Sequence, residues 1–109
     1  MKYKIKVQVF QNEPSYGKGV AQLMRLCDEY GSLSAAYKKM GMSNSKAWKI
    51  LKRAEEDLGF ELIERTVGGV HGGKSVLTPK GKEFLEKYDE FEKRVEAYAN
   101  TCFEEIFHE

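Results

Sequence analysis

The chain has 109 residues, enough for one ordinary domain and too few for two, and its balance of 41% hydrophobic and 32% charged residues is that of a globular protein. No apolar stretch approaches the length of about 20 residues that a membrane span requires, and Met1 to Phe10 alternates lysines with apolar residues where a signal peptide has a continuous apolar run. The formal net charge of +1 conceals an uneven distribution, with residues 1–33 at +2, residues 34–82 at +5 and residues 83–109 at −6. A basic middle followed by an acidic end predicts a local electropositive face for an anionic partner.

In chain order, Tyr3, Ile5, Val7 and Val9 alternate with Lys2, Lys4, Lys6 and Gln8, the period of a half-buried strand. Residues 11–17 then form a loop. From Lys18 to Tyr30 the apolar positions Val20, Leu23, Leu26, Cys27 and Tyr30 fall on one helical face, and Gly31 closes the helix. A short helix fits Ser34 to Met40, with Ser32 or Ser34 as its cap and Gly41 as its stop. Ser43 caps a longer helix from Asn44 to Leu58, in which Ala47, Ile50, Leu51, Ala54 and Leu58 share one face, and Gly59 ends it. Two helices joined by a tight glycine-containing turn, the second longer and basic, form the signature of a helix-turn-helix.

Phe60 to Val67 reads as a strand, residues 68–73 as a glycine-rich tip, and Ser75 to Leu77 as a second strand, together a hairpin after the second helix of the pair. Thr78-Pro79 supplies a cap followed by proline at the first helical position. The last helix, Pro79 to about Phe107, spaces Phe84, Tyr88, Phe91, Val95, Tyr98 and Cys102 by 4, 3, 4, 3 and 4 residues, a heptad seam. The expected fold is therefore α+β, mainly α: a winged helix-turn-helix over 1–78 with an N-terminal strand, and a long C-terminal dimerisation helix over 79–109. The same seam also suits a terminal helix packed on its own domain.

Function is read from the outward face of the helix at 44–58. At about 100° per residue, Ser45, Lys49, Lys52 and Glu56 lie opposite the apolar face, flanked by Lys46 and Arg53. This face suits a DNA major groove. Asn44, Ser45, Lys46 and Lys49 are candidates for base edges, Lys52 and Arg53 for phosphates, and the capping Ser43 is a further candidate DNA contact. In the hairpin, Arg65 and Lys74 are candidate phosphate contacts, and His71, at its tip, is a weaker candidate for a phosphate or minor-groove contact, the alternative being a solvated loop histidine. Trp48, at the edge of the apolar face, is expected to seal the helix against the first strand or helix, with a direct DNA contact as the alternative.

Gly68 to Ser75 spells the phosphate-binding expression G-x-x-x-x-G-K-S, yet that loop must lead into a helix beginning at its Lys-Ser. Here an apparent strand follows, so nucleotide hydrolysis is rejected. No other catalytic set, metal-ligand spacing or cofactor motif is present, and Cys27 and Cys102 fit a reducing cytoplasm. The expected partners are double-stranded DNA and a second copy of the chain. The alternative is a protein-interaction module on the same scaffold, suggested by the aromatics of the last helix.

The stretch from Gly31-Ser32-Leu33-Ser34-Ala35-Ala36 through Leu58-Gly59, followed by Leu62-Ile63-Glu64-Arg65-Thr66, resembles the DNA-binding half of LysR-type regulators. It is more closely similar to the ModE family of molybdate-responsive transcription factors. There the likeness takes in Ala47-Trp48, Glu64-Arg65-Thr66 with the glycine pairs Gly68-Gly69 and Gly72-Gly73, and Leu77-Thr78-Pro79-Lys80-Gly81. The resemblance implies a transcriptional regulator that binds a palindrome-like site as a homodimer. Molybdate sensing in that family belongs to a further C-terminal module, so no molybdate site is expected in this chain.

Overall fold

A computed structural model describes residues 1–66 and 74–108. Among these residues are four helices, α1 (Lys18–Tyr30), α2 (Leu33–Lys39), α3 (Asn44–Leu58) and α4 (Pro79–Phe107), and a two-stranded antiparallel sheet of β1 (Ile63–Thr66) and β2 (Lys74–Leu77). This is a mainly α winged helix. The register pairs Ile63 with Leu77, Glu64 with Val76, Arg65 with Ser75 and Thr66 with Lys74. The glycine-rich tip and His71 lie outside the described residues.

Local chemistry sets each boundary. Ser32 accepts the Ala35 amide at 3.2 Å and starts α2 one residue earlier than its sequence pattern suggests. Ser43 accepts the Lys46 amide at 3.1 Å and Thr78 the Gly81 amide at 2.9 Å, starting α3 and α4 where expected. Gly31 and Gly59 end α1 and α3 at φ of 68° and 88°, a left-handed backbone that residues with a Cβ rarely adopt.

The N-terminal strand expected over residues 3–9 is reduced to one antiparallel bridge, Val9 with Tyr16. The reason is the short supply of partners. The Val9 amide donates to the Tyr16 carbonyl at 2.8 Å, but α1 begins two residues later and takes the following backbone groups. Residues 1–8 instead form an extended arm along α4. The Tyr88 hydroxyl donates to the Val7 carbonyl at 2.8 Å, the Tyr3 hydroxyl bonds Asn100, and the Tyr3 ring packs 4.7 Å from Phe103.

The core lies where α1, α2, α3, the sheet and the first turns of α4 converge, and Tyr16, Leu23, Met24, Cys27, Leu51 and Leu62 are its largest fully buried side chains. Burial pushes the Cys27 thiol up to about 11, so it behaves as a small apolar residue. Edge-on contacts place the Phe84 and Tyr88 rings 4.7 and 5.1 Å from Tyr16, and the Arg25–Asp89 ion pair braces α1 against α4. The beginning of α4 is therefore continuous with the body.

Leu62 is the junction of these parts. Its carbonyl accepts the Thr78 amide at 3.0 Å, and α4 crosses so closely that a Cβ on Gly81 would sit 2.3 Å from that carbonyl oxygen. Gly81→Ala should therefore destabilise the protein by about 1–3 kcal/mol through backbone displacement, although alanine favours a helix over glycine by about 1 kcal/mol. Urea unfolding measures this, and an equal or higher midpoint for the variant would refute the close crossing.

Candidate nucleic-acid interface

The geometry begins with α3. Ala47, Leu51 and Ala54 are buried, two of them small enough to let the helix backbone sit close to the core. The opposite face, with Asn44, Ser45, Lys46, Lys49, Lys52 and Glu56, is exposed. The side-chain oxygen of Ser43 is occupied as the helix cap.

Between these faces, each flank of α3 is tied to a different neighbour. On one flank the Glu55 carboxylate accepts the Leu62 amide at 2.7 Å and the Ile63 amide at 3.4 Å, holding the root of β1. Trp48 lies two turns earlier on that flank, half-buried, with the Arg65 guanidinium carbon 3.8 Å from its ring centroid. The residue expected to seal α3 against the first strand or helix thus meets the hairpin.

On the other flank Asp57 accepts the amides of Gln11, Asn12 and Glu13 at 2.8, 2.8 and 2.9 Å and the Ser15 hydroxyl at 2.9 Å. Arg53 is ion-paired to Glu13 at 3.8 Å. A cleft of about 970 Å³ opens on this side between the N-terminal arm and the body, with Ile50 and Arg53 on its wall.

The structure thus brings Asn44, Ser45, Lys46, Lys49 and Lys52 onto one open helix face and sets Arg65 beside it. Arg53 is drawn to the loop flank by its acidic partner. Lys74 is exposed at the start of β2, across from Thr66. It is followed by Ser75 in a strand, so the phosphate-loop expression does not open a helix. The Ser75 amide donates to the Gly31 carbonyl at 3.1 Å, and the Cys27 thiol donates to the Ser75 carbonyl at 3.7 Å, tying the hairpin to the end of α1. Among the described residues, no group of three His, Cys, Asp or Glu is placed to hold a metal, and no helix is long and apolar enough to cross a membrane.

The expected dimer seam divides into two lines. Tyr88, only 2% exposed, Val95 and Cys102 turn toward the side along which the arm runs, and Phe84 packs on Tyr16 and Phe60. Phe91 and Tyr98 stay open, 53% and 73% exposed, as does Ile106 at 72%. The 3.5-residue seam and the body-facing stripe of a straight helix share the Tyr88, Val95 and Cys102 line, so Phe84 and Tyr88 belong to the chain's own core rather than to a free surface.

Residues 21–82, more than half of the chain, match the model of the bacterial regulatory helix-turn-helix proteins of the lysR family. The chain belongs to that family. The matched stretch covers most of α1, all of α2 and α3, the hairpin and the start of α4 through Lys82, and it makes this LysR-type unit the helix-turn-helix of a DNA-binding regulator. Among curated relatives, the DNA-binding transcriptional dual regulator ModE of Escherichia coli (strain K12) is 36% identical over 59 residues, covering 54% of this chain and 22% of ModE. The molybdenum-pterin-binding protein MopB of Rhodobacter capsulatus is 34% identical over 65 residues, covering 60% of the chain and 24% of MopB. The transcriptional regulator ModE of Haemophilus influenzae is 31% identical over 75 residues, covering 69% and 29%. The chain spans about a quarter of the length of these relatives.

The loop held by Asp57 lies before the family match, and sequence reasoning missed both carboxylate ties. Their signal was present as two acids among the cations of α3, between its core and open faces. The Gln11, Glu13 and Asn12 amides and the Ser15 hydroxyl lower the Asp57 pKa from 3.8 to about 2. Because the folded value lies below the unfolded one, this stabilisation is complete above about pH 4 and fades as pH falls toward 2. Asp57→Asn should lower the melting temperature at neutral pH, and its gap to the wild type should close between about pH 4 and pH 2. Melting curves followed by circular dichroism check this, and a gap independent of pH would sink it.

Proposed function

We propose that the chain regulates transcription as a homodimer, with α3 in the major groove and the hairpin at about 66–75 on the DNA backbone or minor groove. The observation that carries this reading is the open face of α3, where Ser45, Lys49 and Lys52 stand free while both flanks of the helix are tied to neighbouring segments. A rigidly held basic helix presents its charges to phosphate and base edges without a large ordering cost. Asn44, Ser45, Lys46 and Lys49 take the base-edge role, and Lys52, Arg65 and Lys74 the phosphate role. Arg53, paired to Glu13, contributes at the edge of the footprint.

The second copy pairs through the part of 79–109 that leaves the body. Phe91, Tyr98 and Ile106 are its candidate contacts, since they are apolar and exposed on a helix of 29 residues. The acid-rich surface of that helix keeps the pairing surface away from DNA.

DNA titration at several salt concentrations tests the first half. Specific binding should weaken steeply as salt rises, and Lys49→Ala should cost about 1–3 kcal/mol of specific binding if it reaches a base edge. A salt-independent affinity would refute DNA binding, and an unaffected Lys49→Ala would remove that residue from the site. Sedimentation tests the second half: the wild type should be a dimer and Tyr98→Glu largely a monomer. A monomeric wild type would instead favour the reading in which these aromatics await a different protein.

A further inference from the structure

The Trp48–Arg65 contact is a second tie between α3 and the hairpin, two residues along β1 from the amide held by Glu55. Trp48 belongs to α3 and Arg65 to β1. Between their backbones the flank is fixed by Glu55, which holds the Leu62 and Ile63 amides. Arg65 is exposed and Trp48 half-buried, so the indole forms a floor on the protein side and the guanidinium its solvent-facing layer. With its guanidinium carbon 3.8 Å from the ring centroid, Arg65 is in contact distance of the π face.

An arginine is suited to this position. The guanidinium is planar, and its N–H donors point outward within that plane, so a face resting on an aromatic ring leaves the donors free for a bidentate contact to phosphate. A long side chain otherwise loses rotamer freedom when it binds. An indole beneath it restricts those rotamers beforehand.

We infer that Trp48 is a positioning residue: its indole pre-orients Arg65 toward a DNA phosphate and so couples the hairpin to the reading helix. This inference rests on the proposed phosphate contact of Arg65 and adds the device that aims it. It also explains why the largest side chain of α3 stands on the hairpin flank, beside Lys52, where a smaller apolar residue would seal the core edge equally well.

The chain has a single tryptophan, so its emission reports this contact without ambiguity. In the free protein, Arg65→Ala should shift that emission to longer wavelength as water reaches the uncovered ring, and unchanged emission would overturn the stack. A double-mutant cycle on DNA affinity tests its consequence. Trp48→Leu should weaken DNA binding about two- to fivefold, the worth of an exposed cation–π contact, and Trp48→Phe should recover most of that loss. In an Arg65→Ala background, Trp48→Leu should have no further effect.

Arg65→Ala should itself lower the salt slope by about one. An unchanged slope and affinity would overturn the phosphate contact, and with it the role given to Trp48. If that slope falls but Trp48→Leu is equally harmful in both backgrounds, only the positioning role is overturned. Melting temperatures of all variants distinguish lost folding from lost binding, and Trp48→Phe carries the test if Trp48→Leu does not fold.

Discussion

Two carboxylates on opposite flanks of α3 set the arrangement of this molecule. Glu55 gathers the amides at the root of β1, and Asp57 gathers three successive amides of the loop before α1. A charged acceptor makes a stronger hydrogen bond than a neutral one, and both acids serve backbone donors that no helix or sheet ladder satisfies. The segments on either side of α3 are thereby fixed in position as well as in sequence. Were the helix held by its core face alone, Ala47, Leu51 and Ala54 would give it depth but little resistance to rotation about its axis.

The same economy appears at Leu62. Its amide goes to α3 and its carbonyl to the residue that caps α4, while its side chain is fully buried. Thr78 completes the joint, because its hydroxyl donates to the Glu61 carbonyl at 2.6 Å and accepts the Gly81 amide. One short segment therefore relates α3, the hairpin and the long helix. Gly81 is the steric condition for that relation, since any side chain there would collide with the backbone it must cross.

Much of this fold was legible in the sequence because it depends on local rules. Ser43 and Thr78 as caps, Gly31 and Gly59 as stops, and the apolar face of 44–58 each follow from residues within a turn or two. What was not legible depends on partners far along the chain. The arm alternates as a strand should, yet no stretch of backbone was free to pair with it beyond Tyr16. The heptad spacing of α4 was correctly perceived, but spacing does not say which turns are still lying on the body. In the site, charge and periodicity selected the open face of α3, whereas the approach of Arg65 to Trp48 depends on how the hairpin is hung from Glu55.

The division of α4 also constrains how two copies would meet in the proposed dimer. With Phe84 and Tyr88 taken into the core, and Tyr88, Val95 and Cys102 on the side of the arm, the open apolar residues are Phe91, Tyr98 and Ile106. At about 100° per residue, Phe91 and Tyr98 lie only about 20° apart around the helix, whereas Ile106 is turned by about 80° from Tyr98, so the exposed apolar residues form a broad band rather than a single seam. The arm adds to this geometry. By contacting α4 at Tyr88, Asn100 and Phe103 it occupies one side of the helix to near its end. A basic arm on an acidic helix also offsets part of the charge that would otherwise oppose bringing two such helices together. In the proposed dimer, pairing through α4 and anchoring of the arm would be complementary uses of one helix: the arm covers the face that continues the core, while Phe91 and Tyr98 stay exposed.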